Sequence, residues 1–153
     1  MSGGNAGHGG TGGEVSLASE VGGTTEAGGI GMVGTLAFFG GRTSGRMEIV
    51  DISDPMNPQV IGTSPDSAVR DASSIVYPDG RVVVISTAGG MEIFATDITD
   101  PTNPELIGQF STPNGNHNIA VVPGSPIVYN SGKDIVDFSE PSNPITMGKF
   151  PSS

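Results

Sequence analysis

Three pairs of carboxylates recur in this chain at one spacing: Asp51 with Asp54, Asp97 with Asp100, and Asp137 with Glu140. Each pair opens a near-copy of the same twelve residues, DISDPMNPQVIG, DITDPTNPELIG and DFSEPSNPITMG. Two carboxylates beside turn carbonyls are the beginning of a Ca²⁺ site, since Ca²⁺ takes several oxygen ligands. The same residues are equally the natural caps of a turn, because Asp accepts hydrogen bonds from backbone amides just ahead of it. No D-x-D-x-D-G pattern accompanies the pairs, so both readings stand, with Asp51, Asp54, Asp97 and Asp100 as candidate metal ligands. His117, in NGNHN, is the remaining candidate, as a metal ligand or a catalytic base. Such a role needs partners from other repeats, where the first repeat offers Ser73 or a near neighbour.

Other chemistries are poorly supplied. The chain has no cysteine, which removes disulfides, thiolate metal sites and cysteine nucleophiles. GHGGTG (7–12) and GIGMVG (29–34) match G-x-G-x-x-G, but that fingerprint needs a strand before it and a helix after it. The first lies in low-complexity sequence and the second runs into TLAFF, so nucleotide binding is not expected. No G-x-S-x-G elbow occurs. No catalytic or cofactor-binding residue is assigned. The formal net charge of −10 repels phosphate backbones and anionic membrane surfaces, and the six basic residues are scattered, which excludes nucleic acid as a partner.

The elements that must position these residues are strands. From Met32 onward, short apolar runs alternate with turn residues, as in GTLAFFGG, RMEIVDIS, SSIVYPDGRVVVIS and HNIAVVPGSPIVYNS. No segment carries a helical period of apolar residues. Tyr77–Arg81 and Val122–Pro126 lie where hairpin turns belong. In MEIVDIS both faces are apolar, Met47 and Ile49 on one and Val50 and Ile52 on the other, which suits a strand covered on both sides. The second copy reads MEIFATDIT, two residues longer, and implies a bulge in that strand. Residues 1–31, rich in Gly, Ser and Thr, form a flexible leader in this reading, and 32–153 form the folded domain.

Within each copy, counted from its first Asp, Pro stands at +4, Asn at +6, Pro at +7 and Gly at +11. The motifs span 47–62, 91–108 and 135–148. A period of about 40–45 residues with four strands per unit is that of a β-propeller blade. The fold class is therefore all-β, with two to three blades of antiparallel strands. Propellers use about 4–8 blades, so the chain is expected to be a fragment or an incomplete propeller that self-associates through open β edges.

IVDISDPMNPQVIG and its copies resemble the LVIVD repeat, over roughly residues 32–153. The resemblance implies a β-propeller-like protein of the cell surface or extracellular space, although this chain shows no signal peptide and no membrane span. It brings no common catalytic residues. The expected function is a non-catalytic repeat module binding a protein or polysaccharide through NGNHN and SPDSAVRD. The alternative is part of a propeller-based enzyme with His117 in a central metal or catalytic site.

Overall fold

The structure is a computed structural model that describes residues 27–41, 45–65 and 70–151. Every regular element in it is a strand. Twelve strands form three antiparallel four-stranded sheets, each built from four consecutive strands. Blade 1 contains β1 (Ala27–Val33), β2 (Leu36–Gly41), β3 (Arg46–Asp51) and β4 (Gln59–Thr63). Blade 2 contains β5 (Asp71–Val76), β6 (Val82–Thr87), β7 (Glu92–Asp97) and β8 (Glu105–Ser111). Blade 3 contains β9 (Ile119–Val121), β10 (Ile127–Asn130), β11 (Asp134–Asp137) and β12 (Ile145–Lys149). None of the sheets is closed, so no blade removes its own edges.

The blades stack like those of a propeller. Their first strands, β1, β5 and β9, adjoin along one line, and the closest backbone approaches between strands of different blades lie in that inner region. Two cores lie between blades rather than within them. Phe38, Met47 and Ile49 of blade 1 pack on Ala72, Val84 and Ile98 of blade 2. Val83, Ile85, Ile93 and Ala95 on the other face of blade 2 pack on Val128, Val136 and Phe138 of blade 3. Blade 2 is thus apolar on both faces because both faces are covered, as the two-sided pattern of its β6 and β7 residues requires.

β1 begins at Ala27, inside the stretch expected to be leader; residues 1–26 of that leader lie outside the described residues. The glycines that made this stretch look like a linker are needed by the strand. A Cβ on Gly31 would collide with the Phe38 ring and approach the Ala72 carbonyl oxygen, and one on Gly29 would meet Asp71. Only glycine lets the innermost strand come this close to the next blade.

The expected bulge also takes a different form. β7 pairs with β6 without interruption, and the extra residue opposite Ala95 and Thr96 is Ile107, on β8. The same register shift occurs opposite Ile49 and Val50, and opposite Ile135 and Val136. In each blade the bulged residue is the apolar one before the repeat glycine: Ile61, Ile107 or Met147. Counted back from the repeat Asp, Met47 matches Ile93, so the two added residues leave Met91 outside β7 and exposed.

Candidate functional site

The carboxylate pairs fold into three corners of one design, each joining the third and fourth strands of its blade. Asp51 Oδ1 accepts the Ser53 amide at 2.8 Å, Asp97 Oδ1 that of Thr99 at 2.8 Å, and Asp137 Oδ1 that of Ser139 at 2.7 Å. The second carboxylate does the same one turn later: Asp54 Oδ1 accepts from Met56 N at 3.0 Å, Asp100 from Thr102 N at 3.0 Å, and Glu140 Oε1 from Ser142 N at 3.4 Å. The Asn at +6 then donates its amide back to the carbonyl at +3, at 3.0–3.1 Å, closing the turn around the Pro. Accepting these bonds favours the charged form. It holds Asp51, Asp100, Asp137 and Glu140 below their ordinary values, with the Ser53 amide the largest cause at Asp51 and the Thr102, Ser139 and Ser142 hydroxyls at the others.

These corners bring Asp51 to Asp54 and Asp97 to Asp100, but on separate blades. A shallow groove of about 280 Å³ at the second corner is lined by Asp97, Thr99, Asp100, Asn103 and Glu105. Among the described residues, no three His, Asp or Glu side chains gather where they could hold one metal ion.

His117 lies elsewhere, at the opposite end of the strands, where the inner strands begin. Its loop is fixed by its own polar side chains. Thr112 Oγ1 donates to the Asn114 carbonyl at 2.8 Å, and Asn116 Nδ2 donates to Thr112 Oγ1 at 2.7 Å and to the Met91 carbonyl at 3.1 Å. The amides of His117 and Asn118 both donate to Ser131 Oγ, at 2.7 and 3.2 Å. Asp134 is fully buried beneath this loop, with Oδ1 3.4 Å from Asn114 Nδ2 and 3.9 Å from Lys149 Nζ.

The partner of His117 is Arg70. The guanidinium Nη1 stands 3.1 Å from Nδ1 and 3.0 Å from Nε2 of the ring. A metal ion at either nitrogen would therefore meet a permanent cation at close range. Next to this pair, Asp71 Oδ2 accepts the Ile119 amide at 2.9 Å and faces Asn118 Nδ2 at 3.4 Å, tying β5 to β9. The Gly29 amide donates to the Arg70 carbonyl at 2.5 Å and ties β1 to β5. The end of the stack where the inner strands begin, its mouth, therefore carries Arg70, His117 and Asn118 side by side. Toward the other end of the same strands, a groove of about 340 Å³ runs past Met32, Ser73, Val76 and Val121.

Both loops singled out in the sequence meet here, but the repeat partner of His117 is not Ser73. Ser73 pairs with Ile85, and Ala120 pairs with Tyr129, the same position one blade on. Ser73 thus matches Ala120, and His117 matches Arg70. The signal was present in the spacing, since V-R-D ends on the first residue of β5 and N-H-N just before β9, but the two loops share no residue type to align. Val69 and the three residues before it in SPDSAVRD lie outside the described residues.

With sheets, corners and inter-blade cores in place, the comparison with known families is decisive on one point. Two segments of the chain match the LVIVD repeat. They are residues 42–64 and 128–151, the third and fourth strands of blade 1 with their corner, and the corresponding part of blade 3 extended back into β10. The intervening copy in blade 2 adopts the same corner and the same bulge without being matched. No curated protein matches the chain. Each matched segment contains the corner and the bulge of one four-stranded, propeller-like blade.

Proposed function

We propose that this LVIVD-repeat chain is a non-catalytic scaffold that binds its partner at the axial mouth, through the NGNHN loop and the end of SPDSAVRD. The observation that carries the reading is the Arg70–His117 contact. Two blades each place a nitrogen-rich side chain at the same position, and their loops are pinned by Asp71, Ser131 and Asn116. Rigid strands below and polar loops above are the usual division of labour in such scaffolds. Asp71 is committed to the Ile119 amide and faces the Asn118 side chain, so the groups offered outward are mainly the guanidinium and the imidazole. That set suits a carboxylate, which Arg grips with paired donors. The carboxylate can come from an acidic protein segment or from a uronic acid of a polysaccharide.

The test is calorimetric titration of the chain with a uronic-acid oligosaccharide, its neutral counterpart and a Glu-rich peptide. Binding to an acidic probe, weakened about tenfold or more by Arg70→Ala and His117→Ala, supports the mouth as the site. The probe that binds names the source. No heat with either acidic probe, or binding unchanged in both variants, overturns it. Turnover of a probe that is lost in His117→Ala would favour the enzyme reading instead.

A further inference from the structure

The contact that joins one blade to the next is made twice within this chain, and both of its halves recur at the two ends of the stack. The repeat glycine of blade 1, Gly62, lies so close to the Pro101 carbonyl oxygen of the second corner that a Cβ would overlap it. Gly108 of blade 2 meets the Pro141 carbonyl of the third corner in the same way, where a Cβ would stand 2.5 Å from the oxygen and 3.4 Å from Ser142 Cα. Each bulged apolar residue beside those glycines, Ile61 or Ile107, packs into the inter-blade core. A corner and a bulge thus form a complementary pair, one from each blade.

At the far side of blade 3 the bulge half is open. A Cβ on Gly148 would have no described atom within 4 Å, and Met147, the counterpart of Ile61 and Ile107, is 61% exposed. Ile145 is 63% exposed, and Tyr129, which occupies the position of the fully buried Ile85, is 37% exposed. Phe150, matching Phe110, leans on Tyr129 with ring centroids 5.9 Å apart, so the face keeps its apolar character without a covering blade. At the near side of blade 1 the corner half is open. Pro141 is buried and Pro101 half-buried, whereas Pro55 is exposed, and its neighbour Met56 is 68% exposed.

We propose that the outer face of blade 3, centred on Met147 and Gly148, docks the Pro55–Met56 corner of a second copy of this chain, repeating between molecules the contact made between blades. The second copy is the occupant because it presents the complementary corner in the required form, with the same P-x-N-P turn that Gly62 and Gly108 accept. The interface is heterologous, bulge face to corner, and so differs from pairing of strand edges. The reading is independent of the mouth, which lies at the ends of the inner strands and shares none of these residues.

The test uses the whole chain in sedimentation equilibrium across the micromolar range, with two variants at exposed positions, Met147→Glu and Met56→Glu. Each places a charge on one half of the contact and leaves the other half intact. The wild-type chain is expected to associate, and each variant alone to associate about tenfold more weakly or worse. Mixed together, the two variants are expected to form one-to-one pairs, because the mixture restores one undamaged face and one undamaged corner. Circular dichroism and melting curves matching those of the wild type show that neither variant has unfolded. A wild-type chain that stays monomeric overturns the proposal, including the case in which the chain's own first 26 residues cover the face. Association that neither variant weakens, or that mixing fails to restore, overturns head-to-tail docking in favour of edge or face-to-face pairing.

Discussion

At the scale of single residues, the chain spends its ionisable groups on geometry. The corner carboxylates hold their protons more weakly in the fold than in the open chain, so the unfolded state binds more protons as the solution is acidified. Their contribution to stability is complete above the ordinary Asp and Glu values of 3.8 and 4.5 and is lost as pH falls through the lower folded values. Urea midpoints are therefore expected to fall below about pH 4, and Asp137→Asn to flatten that slope. A midpoint that stays level from pH 5 to about pH 3 would contradict the capping account. Ca²⁺ at these corners would have to draw on the carboxylate oxygens that capping leaves over. It predicts a lower Tm on adding chelator, and coincident curves exclude it. Tyr77 behaves in the opposite sense. Its hydroxyl donates to the Phe138 carbonyl at 2.5 Å, and burial pushes its pKa up to about 12. The folded state keeps this proton longer than the unfolded chain, so the stabilisation is full below pH 10 and is lost as pH rises toward about 12. Tyr77→Phe is expected to cost about 1 kcal/mol at neutral pH and to reduce the alkaline loss. Denaturant curves at neutral and alkaline pH measure both.

At the scale of the strand and its bulge, the repeat glycine is the sensitive position. Gly62→Ala or Gly108→Ala pushes a methyl into a backbone carbonyl of the next corner, and backbone cannot swing aside as a side chain would. The expected loss is about 1–3 kcal/mol for each, the usual cost of overpacking. Gly90→Ala has open space around its Cβ and no positive φ, and is expected to stay within about 0.5 kcal/mol of wild type. Equal effects at Gly90 and Gly108 in chemical denaturation would remove the steric argument. The same element separates what a sequence carries locally from what only the fold brings together. D-P-x-N-P is legible as a corner because Asp, Pro and Asn each carry their turn preference in their own covalent structure. The two-sided apolar pattern of the third strands is legible because strand periodicity is local. The role of the glycine is not, since Gly62 answers to Pro101, which is far along the chain. β1 is hidden for the same reason. Gly29 and Gly31 look like linker residues until Asp71 and Phe38 stand against them. At the mouth, His117 and the two loops can be picked out by type and position, but the identity of Arg70 as its partner depends on inter-blade register, which no local pattern encodes.

At the scale of the whole molecule, the antiparallel blades gather carboxylates without balancing cations at one end of their strands, whereas Asp71, Glu92 and Asp134 at the other end have basic neighbours on the same side of the stack. The corners and the β5–β6 hairpin turn lie together at one end, carrying Asp51, Asp54, Asp79, Asp97, Asp100, Asp137 and Glu140. Arg81, bound to Asp79 at 2.8 Å, is the one basic residue in those turns. Arg46, Arg70, Lys133 and Lys149 sit at the opposite end of their strands. Self-repulsion at the acidic end opposes the compact state, and it is screened as the Debye length shrinks from about 30 Å at 0.01 M salt to about 8 Å at 0.15 M. Blade 2 carries the sharpest case. Asp97 pairs directly across the strands with Glu105, two like charges in opposition, whereas Asp51 faces Gln59 in blade 1 and Asp137 faces Ile145 in blade 3. Glu105→Gln copies the arrangement that blade 1 already uses. It is expected to raise Tm at low salt and to make Tm less dependent on added NaCl than in the wild type. Scanning calorimetry of both proteins at low and at physiological salt decides the matter. If the two salt curves run parallel, repulsion at this pair is not what limits the fold, and the acidic end is tolerated because its charges lie in water rather than against one another.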